Sequence, residues 1–529
     1  MWKIIGGAVV VFILLATGLL ALDDYISRAD AASKNAGLSK LALASETLTV
    51  AQNAELLTIT VTRSGPSQGA TSVDYSVTVD APGSETPPAS ARTGTIRWQP
   101  GDDGPRYFSI PIPAPGEVPE QENHRLTVTL RNPSNGATLG SPASASVTVV
   151  PAEPLAIKIA VNRFVDPHGN PLQLRGVNVS GLENFVIQGW TPDNPWGNDH
   201  PDFAAIKRWK ANVIRFPMNQ AAWLGLTTYD HDGKPRAADP GKNYRQTVTQ
   251  AVADAVAAGL YVILDLHWSG PNVRVPGQPT LVPQTPFEGY GAQNAMADAD
   301  YSLDFWNSVA NTFKDNPAVM FELFNEPYFD WIADTQDPWQ VWREGGFITR
   351  YRTGYVQDGK EGIVRFNWRA VGMKQLLNAV RATGAENVVL VGGVRWAGDL
   401  EKWLTHKPVD PLNQMAAVWH AYPKDEKSSL PKYGVEQYQY GKDISQLVPV
   451  IITETGDHNT PGTVGSPLVS NVLRWADSVG ASYLGWTWNA WTGTDNQLIQ
   501  DKLGTPTDGY GRYFHDHLVC VGAGKDDCP

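Results

Sequence analysis

The chain has 529 residues, 42% of them hydrophobic, and a formal net charge of -12. The length predicts two or three domains rather than one core, and the hydrophobic content excludes a disordered chain. The negative balance lacks the basic footprint that a phosphate backbone requires, so nucleic acid is not an expected partner. Nineteen tryptophans are more than a core of this size ordinarily uses, and flat aromatic faces with a polar edge suit sugar rings.

In chain order, the first element is an uncharged apolar run from Ile4 to Leu22, flanked by Lys3 and by Asp23-Asp24. About 19 apolar residues can cross a bilayer as one helix, whereas a cleaved signal has a shorter apolar core. Residues 1–28 are therefore expected to anchor the chain in a membrane, the alternative being a signal cleaved near Ala29-Asp30-Ala31. Residues 29–40 are small and polar and read as a linker. The remainder is expected to be exported, facing the periplasm or the outside, or secreted if the segment is cleaved.

From residue 41 to residue 150, runs such as LTVAQNAELLTITVTRSG, TSVDYSVTV, HRLTVTLRNPS and SASVTVV alternate apolar with polar between Gly, Pro, Asn and Ser. That pattern predicts a small antiparallel β-sandwich. Its phrases, VTRSG, then GTIRW, then LTVTLRNPSNGATLG before a final strand, resemble a Calx-beta domain. The resemblance implies calcium ligands at the strand ends. Here the early acidic position holds Gln52 and the last strand runs into Val150-Pro151, which argues against a calcium site. Asp102, Asp103, Glu120 and Glu122 make only a partial set, and the domain reads as a spacer that holds the next one away from the membrane.

The prolines of PAEPLAIK mark the start of the last domain, residues 151–529. LQLRGVN, NVIRFP, YVILDLHW, VMFELFNEP, NVVLVGG, AAVWHAY, VPVIITETG and SYLGWTWNAW are apolar strand candidates, and segments such as YRQTVTQAVADAVAAG between them carry helical spacing. Eight such units predict a (β/α)8 TIM barrel, closed at its base by the hairpin IKIAVNRFVDPHGNPLQLRG. A doubly wound open sheet is the alternative, but no G-x-G-x-x-G follows the first strand.

In a barrel all C-terminal strand ends meet on one face, where active sites are built. Those ends carry Arg215, His267, Asn325 with Glu326, His420 with Tyr422, Glu454 and Trp488. Glu326 and Glu454 end the fourth and seventh strands, facing each other across the mouth, and two carboxylates about 5 to 5.5 Å apart define a retaining glycosidase. LRGVN, NVIRFP, LDLHW, FNEP, HAYP, ITETG and a Trp-bearing last strand, in that order, resemble glycoside hydrolase family 5, the cellulase-like barrels, over residues 155 to 515. The resemblance implies that Glu326 is the acid/base and Glu454 the nucleophile, with no metal and no cofactor. ETG stands where many members have Glu-Phe-Gly, a departure beside the nucleophile that leaves its chemistry unchanged.

The roles also follow from charge. Glu326 must hold a proton, so its pKa is expected to be raised by Glu454 and an apolar rim. Arg215 and the Tyr422 hydroxyl are expected to hold Glu454 ionised, and Asn325 to meet the sugar 2-hydroxyl. His267 and His420 are expected at the cleaved bond, with Trp488 as a platform chosen over its neighbours Trp486 and Trp491. Trp190, Trp196, Trp331, Trp339 and Trp342 are expected to wall several sugar subsites, the last three in a long loop over residues 329 to 365. Hence the expected substrate is an internal β-linkage of a polysaccharide, β-1,4-glucan first, with mannan or another β-glucan as alternatives. Two further alternatives are a non-enzymatic carbohydrate-binding barrel and a metal-dependent hydrolase using Asp265 and His267. Cys520 and Cys528, the only cysteines, are expected to pin the tail as a disulfide.

Overall fold

The computed structural model describes residues 38–54, 56–80, 92–112, 124–197, 200–229, 235–269, 273–274, 281–282, 293–329, 337–356, 360–424, 428–459, 465–491, 496–525 and 528–529. The predicted anchor at residues 1–28, the linker up to residue 37, and Glu120, Glu122 and Trp331 lie outside these residues. Among the described residues no helix is long and apolar enough to cross a membrane.

Two sheets form the first unit. One has four strands, Lys40–Leu43, Leu56–Ser64, Arg106–Pro111 and Thr138–Leu139, and the other five, Thr47–Ala51, Thr71–Asp80, Arg92–Trp98, His124–Arg131 and Ser144–Val150. Alternate residues along them point into one core that contains Leu41, Val61, Val73, Trp98, Leu126 and Val147. The run LTVAQNAELLTITVTRSG, expected as one stretch, is two strands in different sheets, because a 3-10 turn at Gln52–Ala54 breaks it. Nor is the pairing wholly antiparallel, since Thr47–Ala51 runs parallel to Ser144–Val150. Asp102 is engaged with Arg106 at 2.5 Å.

Eight parallel strands close the second unit into a barrel: β1 (Arg175–Asn178), β2 (Val213–Asn219), β3 (Tyr261–Trp268), β4 (Val319–Glu322), β5 (Val389–Gly392), β6 (Met415–Ala421), β7 (Val450–Thr455) and β8 (Ser482–Gly485). The strands are buried along their whole length apart from the end of β3, as a sheet covered by helices requires. β1 and β2 approach so closely that a Cβ at Gly176 would lie 1.8 Å from the Val213 carbonyl oxygen, which excludes any other residue there. The predicted basal hairpin is present as Lys158–Ala160, Arg163–Val165 and Pro171–Leu172. It caps the strand N-termini with Ile159 and Phe164 against Met320, Val418 and Leu484.

The first unit docks on this closed end. Arg163 donates to the Tyr107 hydroxyl from Nε at 3.0 Å, Arg106 donates to the Ser478 carbonyl at 3.3 Å, and Asn53 to the Glu153 carbonyl at 2.6 Å. The face of the barrel at the strand C-termini therefore points away from the two-sheet unit.

The long segment after β4 carries more structure than the expected loop. Asp337 caps a helix, Pro338–Glu344, by accepting from the Trp339 N–H at 3.0 Å, with Pro338 pre-setting the first turn. A two-stranded hairpin, Gly346–Val356 with Lys360–Ala370, follows. At the other end of the chain Cys520 and Cys528 form the expected disulfide, with Cα atoms 5.6 Å apart.

Candidate active site

A guanidinium surrounded by acids organises the mouth of the barrel. Arg215 on β2 is fully buried. Its Nε and Nη2 donate to the two oxygens of Glu322 at 2.8 and 3.1 Å, and Nη1 donates to Glu454 Oε1 at 2.7 Å and Asn178 Oδ1 at 3.0 Å. Nη2 also meets Asp265 Oδ2 at 2.9 Å and Asn325 Oδ1 at 2.8 Å. Such a planar fork can serve several carboxylates where a lysine could not. Burial alone would lower the arginine's pKa, but Asp265, Glu322 and Glu454 raise it further than burial lowers it.

Glu454 is also held on its second oxygen, Oε2, by the Tyr422 hydroxyl at 2.9 Å. Burial, Glu454 and Glu326 together push the Tyr422 pKa well up, so the phenol keeps the proton it donates. The β6–β7 register shifts between Val418 and His420, which places His420 beside Glu454. Irregularities of this kind re-aim side chains next to active sites.

His420 lies between the two carboxylates, with Nδ1 at 2.9 Å from Glu326 Oε1 and 3.6 Å from Glu454 Oε2. Glu326, His420 and Glu454 bring one donor or acceptor atom each to within 4.8 Å of one another. Burial disfavours a charge on His420, yet Glu454, Glu322 and Glu326 outweigh it and raise its pKa to about 10. Gln293 donates to the other Glu326 oxygen, Oε2, at 2.6 Å. Burial raises the Glu326 carboxyl, but the hydrogen bond and charge of His420 and the Gln293 amide lower it overall. This corrects the expectation of a raised pKa, because that expectation weighed Glu454 and left out an imidazolium in contact.

His267 Nδ1 meets Asp265 Oδ2 at 2.7 Å, its Nε2 lies 3.4 Å from Asn325 Nδ2, and burial lowers its pKa despite Glu454 and Glu183. Asp265 Oδ2 is thus shared between Arg215 and His267. The ring of Trp486 stacks over His267, centroids 5.4 Å apart and 8° from parallel.

Seven of the eight expected residues, Arg215, His267, Asn325, Glu326, His420, Tyr422 and Glu454, come together here. Glu326 sits four residues beyond the end of β4 rather than on it. Trp488 is the exception: it is 3% exposed and packs edge-on against Trp209 at 4.8 Å, inside the core. Of the expected cleft tryptophans, Trp196, Trp339 and Trp342 are also buried, Trp342 donating to the Gly392 carbonyl at 2.9 Å, while Trp190 is 66% exposed.

Sequence reading missed Asn178, Gln293, Glu322, Trp396, Thr453 and Trp486 as members of the site. For Glu322 the signal was present, since a carboxylate inside the apolar run VMFELF must find a buried cation. For Trp396 there was none, because its position depends on three successive left-handed residues, Arg395, Trp396 and Ala397, with φ of 53, 60 and 53°. Non-glycine residues rarely adopt that conformation, and such strain gathers at functional sites. The turn stacks Trp396 on Tyr328 at 4.0 Å beside a cavity of about 260 Å³ lined also by Glu326, His420, Tyr422, Lys432 and Tyr433.

Comparison with known proteins gives a consistent family. The profile described as Cellulase (glycosyl hydrolase family 5) matches residues 165–491. Cellulase CelDZ1 of a Thermoanaerobacterium species is 22% identical over 324 residues, covering 61% of this chain and 66% of that protein. An endoglucanase of Halalkalibacter akibai is 24% identical over 336 residues, covering 61% and 34%. The chain thus spans less than two thirds of the length of these curated relatives. Among solved structures, the β-glucanase SdGluc5_26A of Saccharophagus degradans in complex with cellotetraose has a TM-score of 0.46 and 20% identity, covering 70% of this chain and 94% of that one. The profile match takes in more than half of the chain, from the basal hairpin to the end of the Trp486 segment, and on that ground the protein belongs to the cellulase family, glycosyl hydrolase family 5.

Proposed function

We propose that the protein is a retaining endo-β-glucanase, acting on β-1,4-glucan or a related polysaccharide by double displacement. The observation that carries the reading is the spacing of Glu326 and Glu454, whose facing oxygens lie within 4.8 Å. That bound fits carboxyl groups about 5 to 5.5 Å apart, as retention requires, better than the roughly 6.5 to 9.5 Å that leaves room for a water in inversion.

Glu454 attacks the anomeric carbon as a carboxylate, oriented by Arg215 and Tyr422, and forms a glycosyl ester as the bond to the leaving oxygen breaks. Glu326 gives that oxygen its proton. In the second half-reaction Glu326 takes a proton from water, the water oxygen bonds the anomeric carbon, and Glu454 leaves as a carboxylate. The Asn325 side-chain oxygen is occupied by Arg215 and its amide nitrogen lies against His267, which leaves one amide hydrogen to donate to the sugar 2-hydroxyl. His267 and Trp486 form the wall of the glycone side. The cavity lined by Glu326 and Trp396 takes the leaving sugars, because the acid borders it and the nucleophile does not. The names of the endoglucanase relatives support a glucan over a mannan.

Residues 41 to 150 read as a Calx-beta-like sandwich serving as a spacer, since they dock on the closed end of the barrel. Export is supported by the Cys520–Cys528 disulfide, a bond kept in oxidising compartments. The apolar run near the N-terminus reads as the anchor.

The experiment is product release by the full chain and by its Glu454→Gln variant from carboxymethyl-cellulose, mixed-linkage glucan, glucomannan, mannan and xylan. Cleavage of a glucan that vanishes in the variant supports the reading. Binding without cleavage by the unaltered chain would replace it with a carbohydrate-binding barrel.

A further inference from the structure

Thr453 precedes Glu454 on β7 and is fully buried behind it. Its hydroxyl lies between two groups, 3.0 Å from His420 Nε2 and 3.0 Å from Glu322 Oε1. Glu322 receives N–H donors from Arg215 on both oxygens. Burial raises its carboxyl, but the Arg215 charge and the His420 contact lower it overall, so it is ionised and can only accept. A hydroxyl has one proton, and here it must point at Glu322. What remains for His420 is a lone pair, and Nε2 must therefore bear a hydrogen and donate it. The other ring nitrogen, Nδ1, faces Glu326 Oε1 at 2.9 Å.

We propose that Thr453 and Glu322 are positioning residues that lock a hydrogen on His420 Nε2, making Nδ1 the position that trades a proton with Glu326. The proposal rests on the glycosidase reading for its consequence, but not for its geometry. One proton serves the Nδ1–Oε1 pair. On Nδ1 it makes an imidazolium beside a carboxylate; on Oε1 it makes a carboxylic acid donating to a neutral imidazole. No charge leaves the pair in passing between the two. The second state is the acid that a glycosidic oxygen requires, and after donation the proton taken from water refills the pair. With the opposite neutral tautomer, Nδ1 would carry the hydrogen, could accept nothing from Glu326, and would hold it as a carboxylate. The lock therefore decides whether Glu326 can be an acid.

The charged and titratable groups around this pair are Glu322 on β4, Glu454 on β7, Arg215 on β2, Asp265 and His267 on β3, Tyr422 after β6, and Lys432 and Tyr433 across the adjoining cavity. Among the described residues, the Thr453 hydroxyl at 3.0 Å is the hydrogen-bonding contact of Nε2, with Glu322 Oε1 behind it at 3.7 Å. Thr453 is thus the contact that distinguishes the two tautomers.

The test uses the full chain labelled with 15N-histidine, its Thr453→Val and Thr453→Ser variants, and the pH dependence of kcat/KM on a glucan. In the unaltered protein the His420 Nε2 signal should stay that of a protonated nitrogen at every pH while Nδ1 titrates. Thr453→Val should lower kcat about tenfold with KM unchanged, less than the roughly 10²- to 10⁴-fold cost of losing the acid–base group itself, and move a limb of the pH profile by about one unit. Thr453→Ser should restore both. An unprotonated Nε2 in the neutral state of the unaltered protein, an unshifted profile in Thr453→Val, or a serine variant as poor as the valine would each overturn the proposal. The spectrum needs no substrate and no variant, so it decides the tautomer even if a variant misfolds or no polysaccharide is cleaved.

Discussion

Glu326 and Glu454 lean on the same imidazole: His420 Nδ1 is 2.9 Å from the first and 3.6 Å from the second. Arg215 and Tyr422 hold only the second carboxylate, and Gln293 only the first. Two chemically identical side chains thereby receive different partners, as the proposed acid and nucleophile of one site require.

Removing the acid should depend on the leaving group. Glu326→Gln is expected to cut polysaccharide hydrolysis by about 10² to 10⁴, the range for a lost general acid. An aryl glycoside whose phenolate leaves without a proton should form the glycosyl-enzyme at nearly the original rate. Burst kinetics on the two substrates check this.

Arg215 is a stability residue as well as a site residue. Arg215→Met would leave Glu322, Asp265 and Glu454 buried without their cation, at a cost of about 3 to 5 kcal/mol, the range for breaking a buried ion pair. Chemical denaturation of the variant measures it.

The pH dependence of stability has a definite sign. Folding raises His420 from 6.5 to about 10, so its charge contributes fully below the lower value, and the contribution disappears as pH rises through the upper one. The stability difference between the protein and His420→Asn should shrink across that window, as read from denaturation curves at a series of pH values.

The tryptophans should sort by burial. Trp488→Ala opens a hole beside Trp209 and is expected to cost about 3 to 5 kcal/mol of stability. Trp486→Ala and Trp396→Ala should leave the melting temperature nearly unchanged and raise KM, the second chiefly for long substrates. Calorimetry and kinetics on an oligosaccharide series separate the two groups.

The barrel was legible because each strand is a near-continuous apolar run with chemistry at its C-terminal end, and YVILDLHW and VPVIITETG needed no partner to be recognised. Glu326, Glu454 and their companions followed from that geometry. What escaped were features set by contact rather than pattern. Strand alternation could not tell Trp486 from Trp488, since the chain leaves the strand at Gly485, before either of them. The Glu326 pKa depended on the distance to His420, which no spacing in the sequence encodes. Trp339 and Trp342 looked like cleft residues because the segment read as a loop, whereas a short capped helix turns them into the core.

The central claim is double displacement by Glu326 and Glu454, and the most direct test is the anomeric form of the first product. Proton NMR during hydrolysis of a cello-oligosaccharide should show the β anomer appearing first, with the α anomer following only by mutarotation. Initial release of the α anomer would contradict the account.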